Sequence, residues 1–169
     1  MAKPITKEIN FAIVLRVMGW LLLIEALFMA MPIGVAAYYG ERRTLLAFLF
    51  ATLITLGSGL LMTFGIRPAT TSMRKREGLL LTAFVWLFFS AFGMLPFLLD
   101  GSITHISDAF FETMAGFTTT GSSVMQHLDT LPRSILFWRS LMQWIGGMGI
   151  ILFTLAVLPM LNYKGGIAL

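Results

Sequence analysis

The part of this sequence best suited to chemistry is a run of small hydroxyl residues around one glycine, Thr118-Thr119-Thr120-Gly121-Ser122-Ser123-Val124. Threonine is β-branched and stiff, so three in succession lean toward an extended backbone that holds successive carbonyls in a row. Gly121 permits a positive φ that swings its carbonyl toward the same axis. Such a ladder of oxygens can replace the hydration shell of a cation. By itself a Ser/Thr/Gly run usually marks an ordinary surface loop, so its meaning depends on its flanks. Just before it, residues 107–117 read as a short helix with Ser107 as N-cap and Asp108 and Glu112 favoured by the helix dipole. About ten residues at about 1.5 Å each cover roughly 15 Å, half a bilayer. Such a helix cannot span, but it can re-enter from outside, stop near the middle and direct partial negative charge there. Asp108 and Glu112 precede the loop, so they are expected to form an outer electrostatic vestibule that concentrates cations rather than ligating them.

Other chemistries find little support. The chain has no cysteine, which removes disulfides, thiolate metal sites and thiol nucleophiles. Its two histidines, His105 and His127, are far apart. Asp108 and Glu112 lie one helical turn apart and could hold a metal, but no further carboxylate or histidine converges with them, so a membrane enzyme is the weakest reading. The formal charge of +4 comes from positive residues beside apolar blocks. That is the pattern of membrane-orienting charge, not of a nucleic-acid surface.

The elements that must position the loop are membrane spans. Of 169 residues 57% are hydrophobic and 12% charged, with a mean hydropathy of +0.86; a soluble domain of this size has too little polar surface to cover such a core. Spanning needs about 20 apolar residues. Four stretches qualify: Phe11 to Met31, Leu45 to Ile66, Gly78 to Leu99 (ending near Pro96) and Ser140 to Leu161. The first is too long and interrupted for a removable signal peptide. Arg67 to Glu77 forms a polar hinge, and the 40 residues from Asp100 to Arg139 enclose the half-helix and the Thr/Gly loop. With the N-terminus inside, Lys3, Lys7, Arg67, Arg74, Lys75, Arg76 and Lys164 face the cytoplasm, against Arg42, Arg43 and Arg133 outside. This is the positive-inside bias, and it places both termini in the cytoplasm. Glu41, Asp100, Asp108, Glu112 and Asp129 then collect outside.

Three features carry alternatives. Arg16 and Glu25 interrupt the first span about 180° apart on a helix, so they cannot pair. Arg16 reads as snorkelling inward; Glu25 is either partly hydrated in the outer third or in contact with another helix or polar path. Gly146, Gly147 and Gly149 suit close helix packing foremost, or a kinkable lining helix. Trp138 and Trp144 read as interfacial or packing aromatics, and Met and Phe elsewhere as filler between helices.

Phe110-Phe111-Glu112-Thr113-Met114-Ala115-Gly116-Phe117-Thr118-Thr119-Thr120-Gly121, followed by Trp138-Arg139-Ser140-Leu141-Met142-Gln143-Trp144-Ile145-Gly146-Gly147-Met148-Gly149-Ile150, strongly resembles the Trk/Ktr/HKT superfamily of potassium transporters, and within it the bacterial TrkH-type uptake subunits. The resemblance implies an all-α integral membrane fold. Residues 1–77 would hold two extra N-terminal helices and the cytoplasmic hinge, and residues 78–169 the first span–pore helix–filter–span repeat: span 78–99, pore helix 107–117, filter 118–124, span 140–161. It implies potassium held by backbone carbonyls of Thr118, Thr119, Thr120, Gly121 and Ser122, chiefly Thr119, Thr120 and Gly121, with no organic cofactor. Sodium-permeable plant members carry serine at the position of Gly121.

The same resemblance implies four non-identical repeats around one pore, homodimers, a cytoplasmic nucleotide-binding regulatory subunit and residence in the bacterial inner membrane. This chain ends after one repeat, at Lys164 to Leu169, and so reads as a fragment. Two alternatives stand beside potassium uptake: a self-assembling homotetrameric cation channel, and a non-conducting membrane assembly module whose polar loop caps the bundle.

Overall fold

The computed structural model describes residues 10–66, 75–126 and 128–162. Lys3, Lys7, most of the hinge (67–74), His127 and the stretch from Lys164 to Leu169 lie outside them. Among the described residues six α-helices follow in order: α1 Phe11–Tyr39, α2 Arg42–Gly65, α3 Lys75–Gly93, α4 Leu95–Asp100, α5 Ile106–Phe117 and α6 Arg133–Asn162, with a 3-10 turn at Leu128–Thr130 before α6. Four segments among the described residues are long and apolar enough to cross a membrane: Phe11–Tyr39, Arg42–Gly65, Glu77–Asp100 and Arg133–Leu152.

The first helix outruns its expected end at Met31. Pro32 sits inside it and the helix continues to Tyr39, where Gly40 takes φ 71° and closes it. α1 and α2 then form a hairpin that crosses on small residues: a Cβ at Gly19 would stand 2.5 Å from Thr63 Oγ1 and 2.9 Å from the Gly59 carbonyl oxygen. Close backbone approach of this kind is how helices associate in lipid, where apolar burial gives little drive.

The third span is broken. Pro96 lacks an N–H and crowds the preceding turn, and α3 stops at Gly93 before a short α4 resumes. In a continuous helix the Phe97 N–H would donate to the Gly93 carbonyl; here it donates to Met94 O at 3.1 Å. The freed Gly93 carbonyl accepts instead from Trp138 Nε1 at 3.0 Å. Trp138 is fully buried and packs edge-on against Phe48 of α2 and Phe117 of α5, at 6.3 and 6.4 Å between ring centroids. The expected packing aromatic is therefore also the hydrogen-bond partner that stabilises the break. Trp144, by contrast, is exposed and meets Phe28 edge-on.

The last helix begins at Arg133, a full two turns before the expected Ser140. Its start is capped from 92 residues away: Glu41, in the α1–α2 connection, accepts from the Arg133 N–H at 2.7 Å, the Ser134 N–H at 3.2 Å and the Ser134 hydroxyl at 2.5 Å. Beside it Asp100 accepts from the hydroxyls of Thr44, at 2.6 Å, and Ser102. The N-terminal hairpin is thus bolted by two carboxylates to the start of α6 and the end of α4. Glu41→Ala should lower the unfolding free energy by about 2 kcal/mol, the scale of charge-assisted hydrogen bonds. Thermal unfolding of the detergent-solubilised protein checks this, and a midpoint equal to the parent's would show that the cap is ornamental.

Candidate functional site

α5 lies between α3 and α6 and contacts both. It starts one residue earlier than expected, at Ile106, with His105 in the N-cap position. Ser107 is therefore not the N-cap; its hydroxyl donates only to Asp108 Oδ1, at 3.3 Å. One face of the helix (Ala109, Glu112, Thr113, Ala115, Gly116, Phe117) is buried, and Thr113 returns its hydroxyl to the Ala109 carbonyl at 2.7 Å.

The helix ends by winding down, not by an abrupt change to extended chain. The N–H groups of Thr118, Thr119 and Thr120 donate to Met114, Gly116 and Ala115 carbonyls at 2.9, 3.0 and 3.0 Å. Thr119 takes φ 57°, an uncommon conformation for a β-branched residue. The expectation of three extended threonines is corrected here: the orphan carbonyls of the helix end draw the first two into a terminal turn, and Thr118 also donates its hydroxyl to Met114 O at 2.7 Å. Gly121 takes φ 76°, the left-handed region that glycine enters freely. From Thr119 to Val124 the loop is exposed.

The depth of this turn is fixed by α6. A Cβ on Gly146 would fall on the Phe117 carbonyl oxygen, with Phe117 C at 2.6 Å and Cα at 2.9 Å. Gly146 lies thirteen residues beyond Arg133, about 20 Å along the helix at about 1.5 Å per residue. α6 stays helical through all three glycines, which favours the packing role over the kink.

The return path is held by Glu112. It is 2% exposed and accepts from Arg139 Nε at 2.5 Å, the Ser123 hydroxyl at 3.0 and 3.1 Å and the Val124 N–H at 2.9 Å. One carboxylate therefore joins α5, the loop's far end and α6. This differs from the expected vestibule. Asp108, one turn earlier, is half-buried and lines a cavity of about 240 Å³ with Thr104, Val124 and Gln126. Of the five acids expected outside, Glu41, Asp100 and Glu112 are tied by hydrogen bonds to distant elements, whereas Asp108 accepts from the neighbouring Ser107 hydroxyl and Asp129 is exposed. The three share one feature: each carboxylate collects donors from a different element of the fold, whether backbone N–H, hydroxyl or guanidinium, and such charge-assisted bonds are the strong ones.

Sequence alone does not mark Arg139, Glu41 and Trp138 as site residues. A signal existed for the first: Arg139 and Glu112 are lone opposite charges at the margins of apolar segments, and such charges usually pair.

A multi-pass helical membrane protein with a half-length helix buried between two spans is the class that this fold and site define. The chain belongs to the TrkH family, described as "Cation transport protein", whose characteristic sequence matches residues 44–169. It is 39% identical over 161 residues to the Trk system potassium uptake protein TrkH of Halomonas elongata, covering 95% of this chain and 33% of that protein. It is 36% identical over 159 residues to the protein of the same description from Escherichia coli K12, covering 92% and 32%. The crystal structure of the potassium transporter TrkH from Vibrio parahaemolyticus is similar at a TM-score of 0.84 and 35% identity, over 95% of this chain and 34% of that one. The chain spans about a third of the length of these relatives. The family is one of transport proteins, not enzymes.

Proposed function

We propose that this chain forms the first pore repeat of a potassium uptake subunit in the bacterial inner membrane, with α5 as a re-entrant pore helix and residues 118–124 as the filter. The observation that carries the reading is the seat of the Phe117 carbonyl on Gly146, about 20 Å along α6. Irregular backbone at that depth persists only inside protein or along a water-filled path. The exposed edge from Thr119 to Ser122 then supplies carbonyls to an axis completed by further repeats. Thr119, Thr120 and Gly121 hold potassium, Thr118 and Ser122 flank them, and of the vestibule pair Asp108 and Glu112 it is Asp108 that remains as an outer charge. The complete subunit works as a homodimer with a cytoplasmic nucleotide-binding regulatory partner, as the family resemblance implies.

The test is Gly121→Ser in the complete subunit that contains this segment. Nothing lies within 4 Å of a Cβ built on Gly121, so any cost comes from φ, about 1–2 kcal/mol for an L-residue in the left-handed region. The potassium-over-sodium flux ratio should fall about tenfold, which corresponds to about 1.4 kcal/mol, and Gly121→Ala should match it. Unchanged ratios in both variants would remove residues 118–122 from the ion path. Orientation has its own test on this cysteine-free chain. A cysteine at Lys75 should react with an impermeant thiol reagent only from the cytoplasmic side, and labelling from outside would invert the topology.

A further inference from the structure

Glu25 stands at the midpoint of α1, fourteen residues from each end. It is 1% exposed, and neither carboxyl oxygen has a hydrogen-bond partner among the described residues. Partial hydration in the outer third is therefore overturned, and contact with other helices takes its place. The contact is with the break in α3. A Cβ at Gly93 would meet Glu25 Oε1 at 3.2 Å, Thr113 Cγ2 at 2.9 Å and the Phe117 ring at 2.9 Å. The carboxyl group and the side chains of Thr113 and Phe117 thus converge on the space beside Gly93 that a side chain would take, while its carbonyl is held by Trp138. Glu25 Oε1 and the Phe117 ring therefore border the same space, and Phe117 is the residue before the candidate filter.

Among the described residues, the surrounding helices offer nothing else that titrates in this layer. α2 carries no charged residue from Thr44 to Gly65, α3 none from Gly78 to Gly93, and α6 none from Ser140 to Leu152. Arg42 and Arg43 stand at the outer end of α2, Lys75, Arg76 and Glu77 at the inner end of α3, and Arg16 lies nine residues away on α1 itself. On α5, Glu112 is engaged with Arg139 and Asp108 lines its cavity with Thr104, Val124 and Gln126. A buried carboxyl with unused hydrogen-bonding capacity is costly to keep, and an ionisable group inside a membrane span points by default to a functional site.

We propose that Glu25 is an intramembrane proton site whose occupancy, transmitted through Gly93 to Phe117, adjusts the seat of α5 and so the ion preference of the loop after it. The inference rests on the filter reading for its second half. With the proton bound, the group is neutral and its hydroxyl can donate to nearby backbone. With the proton returned to water, a full charge lies against Gly93 with no counter-charge in the layer, at the one place where the third span is already broken.

The experiment uses the complete subunit in proteoliposomes over a pH series, as parent, Glu25→Gln and Glu25→Asp. Infrared difference spectra should show a protonated-carboxyl band that titrates in the parent, persists in Glu25→Asp and is missing in Glu25→Gln. The potassium-over-sodium flux ratio should change at least about fivefold across the series in the parent, the lower end of coupling between linked sites. It should be flat in Glu25→Gln. A band unaffected by Glu25→Gln, or a flux ratio that keeps its pH dependence in that variant, overturns the proposal. A parent that carries no potassium at any pH refutes the transport reading instead, and the infrared band then decides the proton site alone.

Discussion

Replacing Gly146 by alanine should cut potassium uptake by the complete subunit at least about tenfold while leaving the protein in the membrane. The added Cβ has nowhere to go: it falls on the Phe117 carbonyl oxygen, with Phe117 C and Cα also inside van der Waals reach at 2.6 and 2.9 Å. These are backbone atoms at the end of a helix, and they cannot rotate aside as a flexible side chain could. Either α6 moves outward or the α5 terminus shifts, and overpacking of this kind costs about 1–3 kcal/mol, enough for the tenfold loss at 1.4 kcal/mol per decade. The neighbouring glycines give the contrast. A Cβ at Gly147 would sit at an ordinary 3.8 Å from Thr119 Cγ2, and one at Gly149 meets nothing within 4 Å. Gly149→Ala should transport like the parent, and Gly147→Ala nearly so. Equal losses in all three variants would mean that helix flexibility, not the Phe117 seat, is what the glycines provide.

The second large effect belongs to Glu112. Its removal leaves Arg139, whose side chain is 16% exposed, without its carboxylate, and leaves the Ser123 hydroxyl and Val124 N–H without their acceptor. Breaking one side of a largely buried pair costs about 3 kcal/mol. Glu112→Ala should therefore lower stability by about that amount. Glu112→Gln should recover part of the loss, because its amide oxygen can still accept from the loop. In the double variant with Arg139→Ala the loss should be smaller than the sum of the singles, since no unpaired charge is left behind. Thermal unfolding of the four proteins measures this coupling, and strict additivity would show that the pair is incidental.

Much of this architecture can be read from residue order, and the rest divides by physical cause. Spans are set by runs of apolar residues against a fixed bilayer thickness, so Arg42–Gly65 overlaps its expected stretch closely and α5 begins within one residue of its expected start, whereas α1 starts at Phe11 as expected but runs past Met31 to Tyr39. The break at Met94 was hidden. Pro96 signals a distortion, but whether a helix ends, kinks or continues there depends on who takes the released carbonyl, and Trp138 is 45 residues away. The carboxylates misled for a related reason. Glu41, Asp100 and Glu112 sit where solvent-facing acids would sit, and their partners are 92, 56 and 27 residues distant. Glu25 was legible as an anomaly, since any acid inside a span is one; its burial against Gly93 depends on tertiary packing. Thr118 and Thr119 show propensity overruled: their intrinsic lean toward extended chain yields to the carbonyls of a helix that has just ended.

The cap that Glu41 places on α6 also bears on how the chain is made. Synthesis runs from the N-terminus, and the α1–α2 hairpin, with its glycine crossing, can enter the bilayer before Arg133 has been added. When α6 emerges, its first N–H groups have no partners within their own helix, and they meet a carboxylate already waiting in the α1–α2 connection. The hairpin is then a built-in assembly jig that selects the height and register at which a later helix docks. Moving these two helices to the end of the reading frame would keep every contact in the finished protein and lose that order of events.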